Sequence, residues 1–194
     1  MKYLIIVLML VFYSSIYAQS KARFGARGGL NMSDIADLNS ELRKDFYAGV
    51  LLSIKFSKQF TLQPELNYSR QGAKLNVPIT EEFNEITIDY LSLSILAKVY
   101  VVGNLHLTFG QYIDVNLYDN LNHNNNFFLL PHLDVGFIVG MGFDIISNLT
   151  MEARYKYGLV DVYNQNSDDI FVSSVNGRNI NKVIQLGLAY KFDM

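Results

Sequence analysis

The chain has three histidines, His106, His123 and His132, the residue type best suited to acid–base chemistry near neutral pH. Hydrolase or acyl-transfer chemistry needs a base within hydrogen-bond reach of a nucleophile or an orienting acid. His132 and Asp134 are two residues apart, so in an extended chain they point the same way, and His106 can neighbour them across a strand pair. That set would make a small acid–base site near one rim. The other reading, a polar network that satisfies its own hydrogen bonds, is preferred, and no enzyme activity is expected. His123 lies in an Asn-rich stretch and reads as a solvated residue. Asp161, Asp168 and Asp169 could collect calcium, but EF-hand spacing is missing and solvated carboxylates are expected there. The chain has no cysteine, which excludes disulfides, thiolate metal sites, cysteine nucleophiles and lipid attachment at a cysteine. No cofactor or metal is expected.

The elements that must position these residues follow a two-residue rhythm. Ala22, Phe24, Ala26, Leu30 and Met32 alternate with Arg23, Gly25, Arg27, Gly29 and Asn31. Phe60, Leu62, Pro64, Leu66 and Tyr68 alternate with Thr61, Gln63, Glu65, Asn67, Ser69 and Gln71. Leu105, Leu107, Phe109, Ile113, Val115 and Leu117 oppose His106, Thr108, Gly110, Tyr112, Asp114 and Asn116. Five further stretches, starting near Phe46, Tyr90, His132, Leu149 and Asn181, behave alike. Apolar residues returning every second position mean strands, since a helix would return them every third or fourth.

The connections sharpen this. Ser57–Gln59, Gly103-Asn104 and Ser147-Asn148 read as tight turns, whereas residues 33–45, 72–85, 118–130 and 160–179 read as long polar loops. Short and long alternate strictly. Outer-membrane barrels have short periplasmic turns and longer external loops, and an even strand number leaves both termini in the periplasm. The expected fold is therefore all-β: an eight-stranded antiparallel up-and-down transmembrane β-barrel with short periplasmic turns and long extracellular loops. Phe171–Val175 followed by Asn176-Gly177 reads as a hairpin extending the last loop outside the membrane.

Alternation does not say which face is outside, and a soluble lipocalin-like calyx would share the rhythm. Three features favour lipid outside. Aromatics on the apolar face gather at the strand ends, with Phe56, Phe60, Phe143 and Phe192 towards the turns and Phe46, Tyr68 and Tyr157 towards the loops, as interfacial girdles require. The polar face carries Arg23, Arg27, Lys55, Lys98, Arg154 and Lys156, available to pair Glu65, Asp114, Asp134, Asp144 and Glu152 in a structural charge network. Glycines 25, 29, 49, 110, 136, 140, 142, 158 and 187 fall on the same face. An eight-stranded lumen is only wide enough for side chains, so glycine there makes room for Arg, Lys and Tyr.

At the start, Met1-Lys2 is basic and Tyr3 to Tyr13 is an apolar run of about 11 residues leading to Ala18, the pattern of a secretory signal peptide. It is shorter than the roughly 20 residues of a spanning helix. Residues 1–18 are expected to be cleaved and residues 19–194 to form one barrel domain in the outer membrane. A net charge of -2 gives no footprint for nucleic acid. A charged fraction of 18% beside 50% hydrophobic residues suits a protein with one whole surface in lipid.

Five segments carry a family resemblance: Phe60-Thr-Leu-Gln-Pro-Glu-Leu-Asn-Tyr-Ser-Arg-Gln-Gly72, Tyr90-Leu-Ser-Leu-Ser-Ile-Leu-Ala-Lys98, Asp134-Val-Gly-Phe-Ile-Val-Gly-Met-Gly142, Arg154-Tyr-Lys-Tyr-Gly-Leu159 and Gln185-Leu-Gly-Leu-Ala-Tyr-Lys-Phe192. Through them the chain resembles the PorT-like outer membrane β-barrel proteins of Bacteroidota, with Ser92 and Ser94 standing where Glu and Pro are common. The resemblance implies an eight-stranded outer-membrane barrel; some relatives serve a secretion apparatus, but the family is broad and most members have no assigned role. Ile184, Leu186, Leu188, Tyr190 and Phe192 also resemble the C-terminal signal read by the barrel-assembly machinery, although Asp193 and Met194 follow.

The expected function is that of a non-enzymatic integral outer-membrane barrel with a side-chain-filled lumen, structural or accessory through its loops or outer wall. Its partners would be the bilayer, the assembly machinery during biogenesis and a possible envelope protein. The alternatives are a narrow pore or transport barrel, a barrel-embedded hydrolase, and a soluble binding protein. A porin-type channel takes about 16 strands, so little steady conductance is expected.

Overall fold

The computed structural model describes residues 21–35, 40–75, 85–119, 133–159 and 180–193. The segment 1–18, His123, His132, Asp161, Asp168, Asp169 and the expected hairpin at 171–177 lie outside the described residues.

The strands are β1 (Lys21–Ile35), β2 (Ser40–Glu41), β3 (Arg43–Lys55), β4 (Phe60–Leu75), β5 (Glu85–Val102), β6 (Leu105–Asp119), β7 (Leu133–Asp144), β8 (Leu149–Gly158) and β9 (Asn181–Lys191). All pairings are antiparallel, in the order β4-β3-β1-β9-β8-β7-β6-β5, and β5 pairs with β4 to close the ring. β2 is a two-residue addition beside the end of β4, where Ser40 faces Leu75 and Glu41 faces Lys74. The result is a closed eight-stranded barrel, which leaves no long strand with an open edge. The described residues contain no helix.

The three turns at the closed-off end are short. In the first, the Ser57 hydroxyl accepts the Gln59 and Phe60 amides at 3.2 and 3.0 Å. In the second, Gly103 adopts φ +54°, a left-handed conformation that side-chain-bearing residues avoid. The third spans Ile145 to Asn148.

At the opposite end the ladders run further than the apolar rhythm suggests. The expected loops 33–45 and 72–85 are partly strand: β1 and β3 stay paired to Ser33 opposite Arg43, and β4 and β5 to Lys74 opposite Glu85. β5 has 18 residues, well beyond the roughly 9–11 that cross a bilayer when tilted. Outside the hydrocarbon neither face need be apolar, so the hydrogen-bonded ladder continues while the alternation that reveals it stops. Polar rim contacts hold this extension. Arg43 donates to Asp45 at 2.6 Å and to the Thr87 hydroxyl, and Arg70 lies 3.6 Å from both Asp45 and Asp89.

Burial is inverted relative to a soluble fold. Large exposed side chains are apolar, including Phe24, Val50, Leu93, Ile95, Val139, Met141 and Leu188, while the interior is mostly polar or charged. Such an outside is stable only against lipid, and the orientation excludes the calyx, whose apolar face would line the cavity. Aromatic pairs sit at both ends of the wall: Phe56 with Phe60 tilted at 5.9 Å and Tyr190 with Phe192 edge-on at 5.6 Å near the turns, and Phe46 with Tyr68 tilted at 5.8 Å towards the other end.

Candidate functional site

The strand period sends every second side chain inward, and the inward set stacks into layers. At the turn end Asp144 closes the floor. It accepts hydrogen bonds from the Tyr100 hydroxyl at 2.8 Å and the Thr150 hydroxyl, with Lys191 Nζ 3.5 Å away. Arg23 reaches Asn148 Oδ1 at 3.2 Å, 3.9 Å from Asp193.

His106 lies just above the floor, with none of its surface exposed and its ring 5.0 Å from that of Tyr100. It faces Gly142 across the β6–β7 pair, and a Cβ on Gly142 would meet the imidazole at 2.5 Å from Nε2. Neither ring nitrogen has a hydrogen-bond partner among the described residues.

The middle layer holds three cations and two carboxylates. Arg154 grips Glu65 with two parallel bonds of 2.8 Å, the bidentate geometry that makes guanidinium–carboxylate pairs strong and directional. Arg27 also donates to Glu65, and Gln63 does so at 2.6 Å. Glu152 lies 2.6 Å from Lys98, 2.7 Å from Arg154 and 3.6 Å from Arg27. Arg27 packs 4.6 Å from the centre of the Tyr47 ring and donates to its hydroxyl at 3.1 Å.

The ring order gives these pairs their meaning. β4 and β8 are four strands apart in either direction, so the Glu65–Arg154 bond spans the diameter. Lys98 on β5 reaches Glu152 on β8 three strands away. The lumen is thus bridged wall to wall.

Above this layer Lys156 binds Asp114 at 2.7 Å, donates to the Ser92 hydroxyl at 3.3 Å, and sits 4.0 Å from the centre of the Tyr112 ring. Tyr112 donates to Asp134 at 3.3 Å and packs with Leu96 and Ile138, a small apolar cluster inside the polar lumen. An amide network closes the top. Gln185 donates to Asn31 at 2.9 Å, Asn31 and Gln71 both donate to Ser69, at 3.0 and 2.8 Å, and Asn181 donates to Gln71 at 2.5 Å. Gln71 also donates to Asp114 at 3.2 Å, joining this cap to the layer below.

Inward glycines create the room. A Cβ on Gly187 would strike the Tyr47 hydroxyl, one on Gly136 the Tyr112 ring, and one on Gly140 the Arg154 side chain. An aromatic or long side chain therefore lies over a bare stretch of neighbouring strand, as in sheets where aromatics cover cross-strand glycine.

Of the residues expected in the charge network, the structure gathers Arg27, Glu65, Lys98, Glu152 and Arg154 into one cluster. Lys156 and Asp114 form a second, with Asp134 linked through Tyr112, and Asp144 lies at the floor. Arg23 is part-exposed at the turn end. Lys55 is exposed, 5.9 Å from the centre of the Tyr100 ring, and has no ion pair among the described residues. Lys191 belongs to the network although only its parity pointed to it. Five cations (Arg27, Lys98, Arg154, Lys156, Lys191) then face five carboxylates (Glu65, Glu152, Asp114, Asp134, Asp144), and the lumen is formally neutral. Burying such charges costs several kcal/mol each unless they are paired and hydrogen-bonded, so the pairing is a condition of the filling.

The expected neighbourhood of His106 with Asp134 does not form. Asp134 pairs with Asp114, whereas His106 pairs with Gly142, eight residues down β6 (114 minus 106). Parity puts both inside but says nothing of height. Among the described residues, no cluster of three or more His, Asp or Glu could hold a metal ion.

Comparison with known proteins agrees with this architecture. A family model described as outer membrane protein beta-barrel domain matches residues 17–164. Among solved structures, Neisserial surface protein A superposes with a TM-score of 0.54 at 13% identity, covering 88% of this chain and 97% of its own. OprG from Pseudomonas aeruginosa gives 0.51 at 14%, covering 91% and 99%. Ail, the attachment invasion locus protein of Yersinia pestis, gives 0.50 at 11%, covering 89% and 99%. At these identities the likeness is one of fold. A search of curated proteins finds no match.

Proposed function

The chain belongs to the outer membrane protein beta-barrel domain family, and from that premise we propose that it is a closed, non-catalytic barrel acting as a structural or accessory element through its external loops or lipid-facing wall. It is an integral outer-membrane protein. The observation that carries the proposal is the Glu65–Arg154 bond across the diameter, flanked by Lys98–Glu152 and Lys156–Asp114. Among the described residues the lumen is tied through its centre, which argues against a water-filled path or an open pocket for substrate and favours the outer surfaces for recognition.

The finer parts of the reading rest on sequence. Residues 1–18 act as an export signal, the short turns and both termini face the periplasm, and the chain is of the PorT-like type from Bacteroidota. The closing strand with Tyr190 and Phe192 is what the barrel-assembly machinery reads, and a protein partner in the envelope engages the exterior. Planar-bilayer recording tests the central point: the purified folded protein should give little or no steady current, and a stable large single-channel conductance would overturn the reading. Purification in mild detergent separates its two forms, since an accessory subunit brings a stoichiometric partner and a free-standing structural barrel does not.

A further inference from the structure

The outer wall has one residue out of keeping with its surroundings. On β6 the outward positions Leu105, Leu107 and Phe109 lie on one side of Gln111, and Ile113, Val115 and Leu117 on the other. Gln111 itself is exposed. Its neighbours across the two strand pairs, Ile95 on β5 and Phe137 on β7, are exposed and apolar as well. Along β1 and β3–β9, the other outward positions among the described residues carry an apolar residue, glycine, proline or tyrosine, except towards the loop end, where Asp34, Lys44, Arg70, Lys74, Asp89 and Lys182 stand. The amide has no hydrogen-bond partner among the described residues.

Depth makes this costly. Gln111 lies six positions along the strand from both Leu105 and Leu117, about 20 Å of strand either way at ~3.3 Å per residue. A tilted barrel strand keeps most of that length as depth, so a side chain as short as glutamine reaches neither interface. In hydrocarbon nothing satisfies its donor and acceptor.

We propose that the β5–β6–β7 wall is a self-association surface, and that Gln111 pairs with Gln111 of a second copy in the outer membrane. The proposal rests on the lipid-facing reading of the wall and adds its occupant. Copies inserted by one route share one orientation, so a two-fold axis relating them runs along the membrane normal. Each wall position then meets its counterpart at equal depth. The depth-matched polar group that an identical barrel offers Gln111 is Gln111 itself. An amide suits this pairing because it is both donor and acceptor: each NH2 donates to the other's carbonyl, the reciprocity of an isologous contact.

The lack of native cysteine allows single-cysteine placement. Ile113→Cys marks the proposed surface and leaves Gln111 in place, and Ala26→Cys on β1 marks the opposite wall, four strands away. After treatment of outer membranes with a short bis-maleimide, Ile113→Cys should give a crosslinked homodimer and Ala26→Cys should not. Adding Gln111→Leu to Ile113→Cys should lower dimer yield by about tenfold, as expected on losing a reciprocal pair of membrane hydrogen bonds. Heat-modifiable migration shows that each variant is folded. Folded Ile113→Cys barrels that give no dimer, or that crosslink to a different protein, overturn self-association and leave the barrel reading intact. An unchanged yield with Gln111→Leu overturns the role of the amide. Recovery of the protein as a soluble periplasmic species would overturn the lipid-facing reading and this proposal together.

Discussion

The lumen and the wall are built from the same strands by opposite rules. On the wall, any apolar residue of suitable size meets the requirement, because lipid has no fixed partner atoms to match. In the lumen many groups are matched to particular partners: Arg154 to both oxygens of Glu65, Tyr47 to the space over Gly187, Lys156 to Asp114 and the Tyr112 ring. One strand thus carries a tolerant face and an exacting face in alternation, and closure of the barrel decides which is which.

Substitutions that remove one lumen partner should sharpen this contrast most. Glu65→Leu leaves the buried Arg27, Arg154 and Lys98 with Glu152 as the one remaining carboxylate of their cluster, and a loss of about 3–5 kcal/mol is expected. Urea unfolding in detergent or lipid, together with loss of SDS resistance, reads it out. A charge placed on the wall comes next: Leu93→Arg, near the middle of β5, should cost about 2–4 kcal/mol by the same measurement. Gly187→Val should cost about 1–3 kcal/mol, because the added Cβ already meets the Tyr47 hydroxyl and the Gly28 carbonyl oxygen. An apolar exchange on the wall, Leu93→Met, should stay below about 1.5 kcal/mol. The smallest effect is expected at the rim, where Arg70→Ala should change stability by no more than about 1 kcal/mol because its ion pairs with Asp45 and Asp89 are part-exposed. If Leu93→Met destabilised as much as Glu65→Leu, the division into tolerant and exacting faces would fail.

The tolerant face is also the legible one. Parity in the sequence places outside and inside correctly on every long strand, because lipid imposes a uniform demand at every second position. The lumen is legible as composition and illegible as geometry. Arg154 and Glu65 are 89 residues apart, and their meeting depends on which strands lie opposite and how far the ladders are staggered, neither of which is encoded in alternation. The same gap explains His106: its parity is right, but its height separates it from Asp134. It also explains Lys191, whose inward parity was visible while its pairing with Asp144 was not. The strand extensions past Ser33 and Lys74 escaped because a ladder outside lipid carries no apolar signature. Gln111 left a trace in the sequence as the missing member of the run Leu105, Leu107, Phe109, Ile113, Val115, Leu117.

The central claim, a lumen held shut by a charge pair across its diameter, is tested most directly by a double-mutant cycle on Glu65 and Arg154. Glu65→Gln, Arg154→Gln and the double variant would be unfolded by urea in the same lipid, each first checked for heat-modifiable migration. If the two side chains bind each other as the bidentate geometry shows, the cycle should give a coupling of at least about 1 kcal/mol, the range for residues in direct contact. Additive effects, within about 0.5 kcal/mol, would mean that the groups do not meet and that the lumen is not tied across its centre.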